Sequence, residues 1–440
     1  MSRLIRSSTL IVNNPFTADS RAWKMAHTLT EAGYAVTVVA RGAAGLPGYE
    51  SVDGYRVLRV EQPQSLSWLP SPRLPAGEVE ASESVSRAPV GARARALAAA
   101  TVGRSAQAVR YLRLSRAWAD AIGRAVDHAP TPPGFERGAP IDVWQAEGLV
   151  ALPVAVHLRR ARGGLAVYDA RDLATRSARF ARLPGPWRAL LERRERDWAR
   201  SMEGLLTASD PYADVLADIW GRRPRVAWNG PDHEPVSDPR PIWHERLGLP
   251  PGTPVVLYLG LILDGRGIGQ LCEAIGLVEG AALVVAGYGG DLERFQARAA
   301  AMPHAERIHF PGPVAPADIP AAIAAADISA MPVEGDTLNH RLNTPTKLFD
   351  AMGAGVPVVA SDLPGMAPIV RTTGCGELCD PDDPRDIARA IRAIIEATPE
   401  RRAEYREAAL RAARDTYAWE HQAPVLLELY RDLAAGTVPR

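Results

Sequence analysis

Short apolar runs rich in Val, Leu, Ile and Ala alternate along this chain with longer stretches in which apolar residues recur at helical spacing. A run that is apolar at successive positions is buried on both faces, so the alternation predicts parallel sheets covered by helices. Strands are predicted near 8–12, 35–40, 141–145, 165–168, 204–207 and 225–228, with helices between them that include 20–32 and 186–200. A polar, proline-rich segment, 229–252, separates these from a second series near 255–259, 282–286, 307–310, 327–331 and 356–360. The 440 residues exceed one ordinary core, which makes two domains the natural division. The expected architecture is α/β, two doubly wound domains facing across a cleft: 1–228, a linker at 229–252, and 253–415. Residues 416–440 read as a C-terminal helix that could pack back on the first domain.

One region breaks the rhythm. Residues 62–140 carry prolines at both ends and an Ala/Arg-rich middle. From Ser84 to Val126 there are eight arginines and one acid, Asp120, among Leu97, Val102, Tyr111, Leu112, Leu114 and Trp118. A basic amphipathic stretch of this kind suits peripheral contact with an anionic membrane, or a charged acceptor; a solvated insertion is the plain alternative.

Composition narrows the classes. Basic and acidic side chains balance at 51 each, so no global charge argues for nucleic acid as a partner. Cys272, Cys375 and Cys379 are too few for a disulfide framework, and no histidine completes a zinc spacing around them. The first apolar run is broken by Asn13, Asn14 and Pro15, which does not suit an export signal, and no stretch approaches the roughly 20 apolar residues of a membrane span. A cytoplasmic protein is expected. Oligomeric state is not readable from the pattern.

Only two lysines, Lys24 and Lys347, stand against 49 arginines. Where nearly every cation is an arginine, a retained lysine marks a place that needs a compact ammonium; chance is the competing explanation. Around Lys347, Asn343 or Thr344 can cap a helix, Pro345 suits its first position, and Gly353 or Gly355 stops it before a strand at 356–360. Lys347 and Asp350 then share a face of the first turn, where unpaired amides favour an anion. Cation, carboxylate and helix N-terminus together suit a nucleotide diphosphate.

The stretch PTKLFDAMGAGVPVVASD, beginning at Pro345, resembles the signature of family 4 glycosyltransferases of the GT-B fold. The resemblance runs over about 8–58 and 141–417. It implies that the first turn of the second domain, with Gly260, Arg266 and Gly267, carries a cation to the donor diphosphate; Leu261 stands where many members have a second arginine. The turn Ala286 to Asp291, with Gly287 and Gly289, resembles the family's "GxGP". The segment His309 to Val314 resembles its "FxGxV", which touches the nucleobase largely through backbone groups and so implicates Val314. Asp350 takes the ribose-binding position. Leu342 replaces the usual first glutamate, with Asn339 and Asn343 as substitutes by type and position. On the acceptor side the resemblance implicates Asp19 and Arg21 after the first strand, and Asp172. Arg171 occupies the place of the usual histidine, and a guanidinium cannot trade a proton near neutral pH. Glu147 is the nearest acid to offer there, with a structural salt bridge as its other reading. Asn229 to Asp232 resembles the entry to the interdomain hinge.

The activity the resemblance implies is transfer of a sugar from a nucleotide-diphosphate donor, UDP- or GDP-linked, to an acceptor, with retention and without a metal; no Asp-x-Asp with ligand-like neighbours argues otherwise. No cofactor beyond the co-substrate is implied. Lys347 and Arg266 would act electrostatically: a cation about 4 Å from the leaving phosphate is worth on the order of 4 kcal/mol. Competing readings are a sugar-nucleotide epimerase, a pyridoxal-phosphate phosphorylase using Lys347, and a non-catalytic nucleotide-sugar-binding protein.

Overall fold

A computed structural model describes residues 4–62, 113–130, 140–181, 183, 185–232, 234–237 and 239–438. The chain forms two compact units, residues 1–227 with 423–440, and residues 228–422.

The first unit is built on an eight-stranded sheet of β1 (Ser7–Val12), β2 (Ala35–Arg41), β3 (Tyr49–Val52), β4 (Tyr55–Val60), β5 (Val143–Glu147), β6 (Leu165–Ala170), β7 (Gly204–Thr207) and β8 (Arg225–Val226). Its order is β3-β4-β2-β1-β5-β6-β7-β8, and all neighbours are parallel except β3 with β4. That exception is a hairpin the apolar pattern did not reveal. Its turn is Asp53-Gly54, with φ of 45° and 84°, the left-handed pair that a two-residue hairpin turn demands. Both outer neighbours of β1 begin alongside it, Ser8 against Val36 of β2 and against Val143 of β5. Strands are added outward on one side from β1 and on the other from β5, so the order reverses between these two parallel neighbours, where doubly wound sheets open a crevice at the strands' C-terminal ends.

Residues 113–128 are helical, and Trp118 and Ile122 are fully buried there. The expected membrane-facing surface is thus corrected at Trp118, whose face packs inward. Asp120 pairs with His157 and Asp127 with Arg162, tying this helix to the helix Leu152–Arg162. The rest of the arginine-rich insertion, 63–112 and 131–139, lies outside the described residues. Residues 423–435 of the last helix also count with this unit, and the Tyr430 hydroxyl donates to Gln145 of β5 at 2.8 Å.

The second unit holds an all-parallel sheet of β9 (Val255–Leu261), β10 (Ala282–Tyr288), β11 (Ile308–Gly312), β12 (Ile328–Met331), β13 (Val358–Ser361) and β14 (Gly376–Cys379). The order is β11-β10-β9-β12-β13-β14, so its reversal lies between β9 and β12. Apolar clusters cover both faces, one centred on Phe349 and Met352, the other on Leu271 and Ile391. The segment 229–252 is not a free linker. Its short helix Ile242–Leu247 buries Trp243 completely, and the indole N–H donates to Ala322 O at 2.8 Å, which fastens the segment to this unit's core. Among the described residues no helix is long and apolar enough to cross a membrane.

Candidate functional site

In the second unit, β9 delivers Gly260 and Leu261 to the C-terminal edge of the sheet, and a turn leads through Arg266 to the helix Ile268–Gly276. Gly267 caps that helix at φ 69° with no side-chain hydrogen bond, and a Cβ there would stand 1.8 Å from Pro332 O, beyond β12. Only glycine permits the two loops flanking the reversal to approach this closely. Gly287 and Gly289 have a similar packing reason, since a Cβ on either would meet Gly260 O or Ile262 O at 1.8 or 1.9 Å. Gly260 differs: no atom lies within 4 Å of where its Cβ would be, so its backbone borders open space. Leu261 and its β10 partner Tyr288 are exposed and form an apolar rim beside it.

The helix Thr346–Gly353 follows β12 and brings Lys347 back over β9. The lysine Nζ stands 3.7 Å from the centroid of the Tyr258 ring. Tyr258 is buried, and its hydroxyl donates to Leu261 O at 2.6 Å, which fixes the ring. Part of Lys347 still reaches solvent. Even so, burial in the fold and the like charge of Arg266 push its pKa well below the usual lysine range. A cation over an aromatic face gains roughly 0.5–2 kcal/mol, whereas taking an ammonium out of water costs on the order of several kcal/mol. The place is left with positive potential that an anion would neutralise. Both nearby helices start without a side-chain cap, so their first amides remain available to an anion.

Details of this segment differ from expectation. Pro345 is the N-cap, with ψ 143°, and the first helical residue is Thr346, because the Thr344 hydroxyl is spent on Gly365 O at 2.9 Å. The strand begins at Val358, since the Val356 N–H closes the helix end on Ala351 O. Asp350 is half-buried on the same helix as Lys347, and Asn339 and Asn343 are half-buried on and just after the short helix Leu338–Arg341. Val314 lies beyond β11 and packs on the core. Sequence reasoning missed Tyr258 and also the pair His340–Asp336, joined at 2.6 Å. The imidazole lies 2.9 Å from where a Gly265 Cβ would be, so this pair braces the turn that carries Arg266.

The corresponding place in the first unit is arranged otherwise. Asp19 caps the helix Ser20–Glu31 by accepting from Ala22 N, and accepts from Asn14 Nδ2 at 2.6 Å. The loop before it strains Phe16 to φ 61°, held by edge-on packing against Trp23 and Tyr55. Arg171, one residue beyond β6, donates Nη1 to both Asp19 oxygens at 2.7 and 2.8 Å, and Nε and Nη2 to Glu147 at 3.0 and 2.7 Å. Arg21 grips Asp169 with two parallel bonds, 2.7 and 2.9 Å, and also donates to Ala227 O. Burial pushes the Glu147 carboxyl up to about 8 despite Arg171, with Asp169 adding to the rise. Burial opposes ionisation of Asp169 too, but Arg21 and Arg171 outweigh it and hold that carboxyl low. With the proton on Glu147 the set is neutral: two guanidiniums against the two carboxylates of Asp19 and Asp169. Gln145 extends the network by donating to Glu147 at 2.6 Å while accepting from Tyr430.

Asp19, Arg21, Glu147 and Arg171 are therefore brought together, with Glu147 held against Arg171. Asp172 stays exposed outside this cluster. Asp169 is the member that pattern reading passed over, although it lies in the same motif as Arg171. Among the described residues, no three His, Cys, Asp or Glu side chains gather so as to hold a metal ion.

Comparison with known proteins bears on both units. Residues 239–412 match the family described as glycosyl transferases group 1. A D-inositol 3-phosphate glycosyltransferase of Xylanimonas cellulosilytica is 27% identical over 243 residues, 52% of this chain and 56% of that protein. The chain thus spans about half the length of the curated relatives it matches. Among solved structures, sucrose-phosphate synthase from Thermosynechococcus elongatus superposes with a TM-score of 0.74 at 17% identity, covering 98% of this chain and 100% of that one. An Anabaena protein solved in complex with UDP-glucose gives 0.64 at 15% identity, covering 98% and 99%. The chain has the GT-B fold, with two Rossmann-like parallel-sheet units, and the match to glycosyl transferases group 1 lies within its second unit.

Proposed function

We propose that the protein is a glycosyltransferase that draws its sugar from a nucleotide-diphosphate donor held by the second unit. The observation that carries this reading is the like-charged pair Arg266 and Lys347 at the sheet's reversal point, beside two helix N-termini that no side chain among the described residues caps. Breaking an anomeric bond to a diphosphate moves negative charge onto the departing phosphate. Two cations and fixed amide dipoles already in place lower the cost of that charge without reorganising at the moment of reaction. One such cation about 4 Å away supplies on the order of 4 kcal/mol at an intermediate dielectric, roughly a thousandfold in rate.

A UDP- or GDP-linked sugar is the preferred donor. The Anabaena neighbour's complex with UDP-glucose supports the first of these. Asp350 would accept from the ribose hydroxyls and Val314 would border the base. Transfer is read as retaining and metal-independent; the leaving phosphate would take the acceptor's proton, since Arg171, bound to Asp19 and Glu147 where the family has a histidine, does not release a proton near neutral pH. The inositol phosphate glycosyltransferase relative supports a small polyol or sugar as acceptor.

The test is a thermal-shift panel of UDP and GDP sugars on the full chain and on the Arg266→Ala Lys347→Ala variant. A donor at about a hundred times its dissociation constant should add about 2.7 kcal/mol of stability to the wild-type protein alone. No shift with any donor, or an equal shift in both proteins, would overturn the reading. Conversion of a donor to its isomer without acceptor would identify an epimerase instead.

A further inference from the structure

The first unit has a second concentration of positive charge, at the opposite edge of its sheet. A cavity of about 420 Å³ opens where β6 begins at Leu165 and where Glu203 leads into β7. Arg159, Arg200 and Arg222 line it, facing an apolar wall of Leu165, Met202, Leu433 and Val438. Six residues of β6 separate this edge from Arg171, which at 3.3 Å per residue is about 20 Å.

Each arginine is anchored at one side. Arg200 donates Nε to Trp220 O at 2.7 Å, and Arg222 donates to Met202 O and Glu203 O at 2.8 and 3.1 Å. Arg159 donates to Ser201 O and pairs with Glu203 at 3.0 Å. The backbone acceptors include the ends of the helices Gly185–Ser201 and Asp210–Trp220, which explains why guanidiniums sit there at all. The charge does not balance, however. Both Glu203 oxygens are engaged, one by Arg159 and the other by Ala166 N at 2.8 Å. Counting about half a negative charge for each helix end, and including the last helix, Trp419–Ala435, because Leu433 and Gly436 at its end also line the cavity, three cations meet one carboxylate and three half charges, a surplus of about half a charge. Arg200 keeps its two terminal nitrogens, and Arg222 its Nε, without a partner among the described residues. Burial pushes the Arg222 pKa down, as expected of a cation short of compensation.

Two anchored guanidinium forks with spare N–H groups match a tetrahedral oxyanion. The volume lies within the roughly 300–1,000 Å³ of small-molecule sites and exceeds what a bare phosphate fills. We propose that this cavity binds a phosphorylated small molecule, its phosphate held by Arg200 and Arg222 and its organic body against Leu165, Met202 and Leu433. The site does not depend on the donor reading.

The measurement is calorimetric titration of the full chain carrying Arg266→Ala and Lys347→Ala, which removes the competing phosphate site, with inorganic phosphate and with glucose 6-phosphate. One binding event is expected, tighter for the sugar phosphate and weakened about tenfold or more when Arg200→Gln and Arg222→Gln are added. Absence of binding, or equal affinity after those two changes in a protein with an unchanged far-ultraviolet spectrum, would overturn the proposal. Should the added changes unfold the chain, tungstate-soaked crystals of the parent decide: anomalous density between Arg200 and Arg222 supports it, and none there refutes it.

Discussion

The two Rossmann-like units place cations at the same topological position, beyond the C-terminal strand ends where sheet order reverses, and treat them in opposite ways. In the first unit Arg171 is enclosed by Asp19 and Glu147, and Arg21 by Asp169, so the charge is settled within the protein. In the second, Lys347 has an aromatic ring and another cation for company. A buried pair stripped of one partner is strongly destabilising, whereas an isolated desolvated cation is already a cost that the fold carries. The first arrangement therefore makes a rigid wall. The second makes a place that gains free energy when an anion arrives.

That contrast can be broken most forcefully at Arg171. Replacing it by Ala leaves the Asp19 carboxylate buried without its cation and strips Glu147 of its hydrogen-bond donors, and should cost about 3–5 kcal/mol in denaturant unfolding; a loss under about 1 kcal/mol would mean the cluster is not internally compensated. Lys347→Ala should behave in reverse. Turnover is expected to fall by about two to three orders of magnitude, about 2.7–4 kcal/mol of barrier, while unfolding stability stays level or rises, because a desolvated like charge beside Arg266 is removed. Near-normal turnover would take Lys347 out of the chemistry.

A subtler comparison uses pH. Glu147 titrates near 8 in the fold and near 4.5 when unfolded, so the folded state holds the proton longer. Its contribution to stability is complete below about 4.5 and is lost as pH rises toward 8, by at most about 1.4 kcal/mol per pH unit. Glu147→Gln imitates the protonated carboxyl and should flatten that slope in melting curves taken across this window; parallel curves for the two proteins would place the proton elsewhere. The smallest effect is expected at Tyr258. Leu in its place removes the ring beneath the ammonium and should cost about 1 kcal/mol, a roughly fivefold fall in turnover, while Tyr258→Phe stays near wild type. Equal behaviour of the two variants would assign Tyr258 to packing alone.

Much of the architecture was visible in the pattern because parallel strands buried on both faces write themselves as apolar runs, as at β1, β6 and β10. The misses have physical causes. β14 is a half-buried edge strand with little apolar signal, and its Gly376 is there because a Cβ would stand 2.1 Å from Val358 O. The β3–β4 hairpin has one exposed strand, and only its Asp-Gly turn announces it. The segment 229–252 looked like a linker because prolines and charges outnumber its one anchoring side chain, Trp243. At the sites, Lys347 and Arg266 stood out through residue type and position, Glu147 through adjacency to a strand end, and Arg171 through the family resemblance. Tyr258 did not, since an aromatic in a buried strand is indistinguishable from core until something is placed over it.

By itself the amino-acid order determined the succession of parallel strands, the turns that only glycine can make, and the near-exclusive use of arginine with a lysine kept at 347. Tertiary structure decided which of those charges is answered. Arg171 finds Asp19 across 152 positions of chain, and Arg21 finds Asp169 across 148. Compensation is a matter of a few ångströms in space, and spacing along a chain carries no record of it.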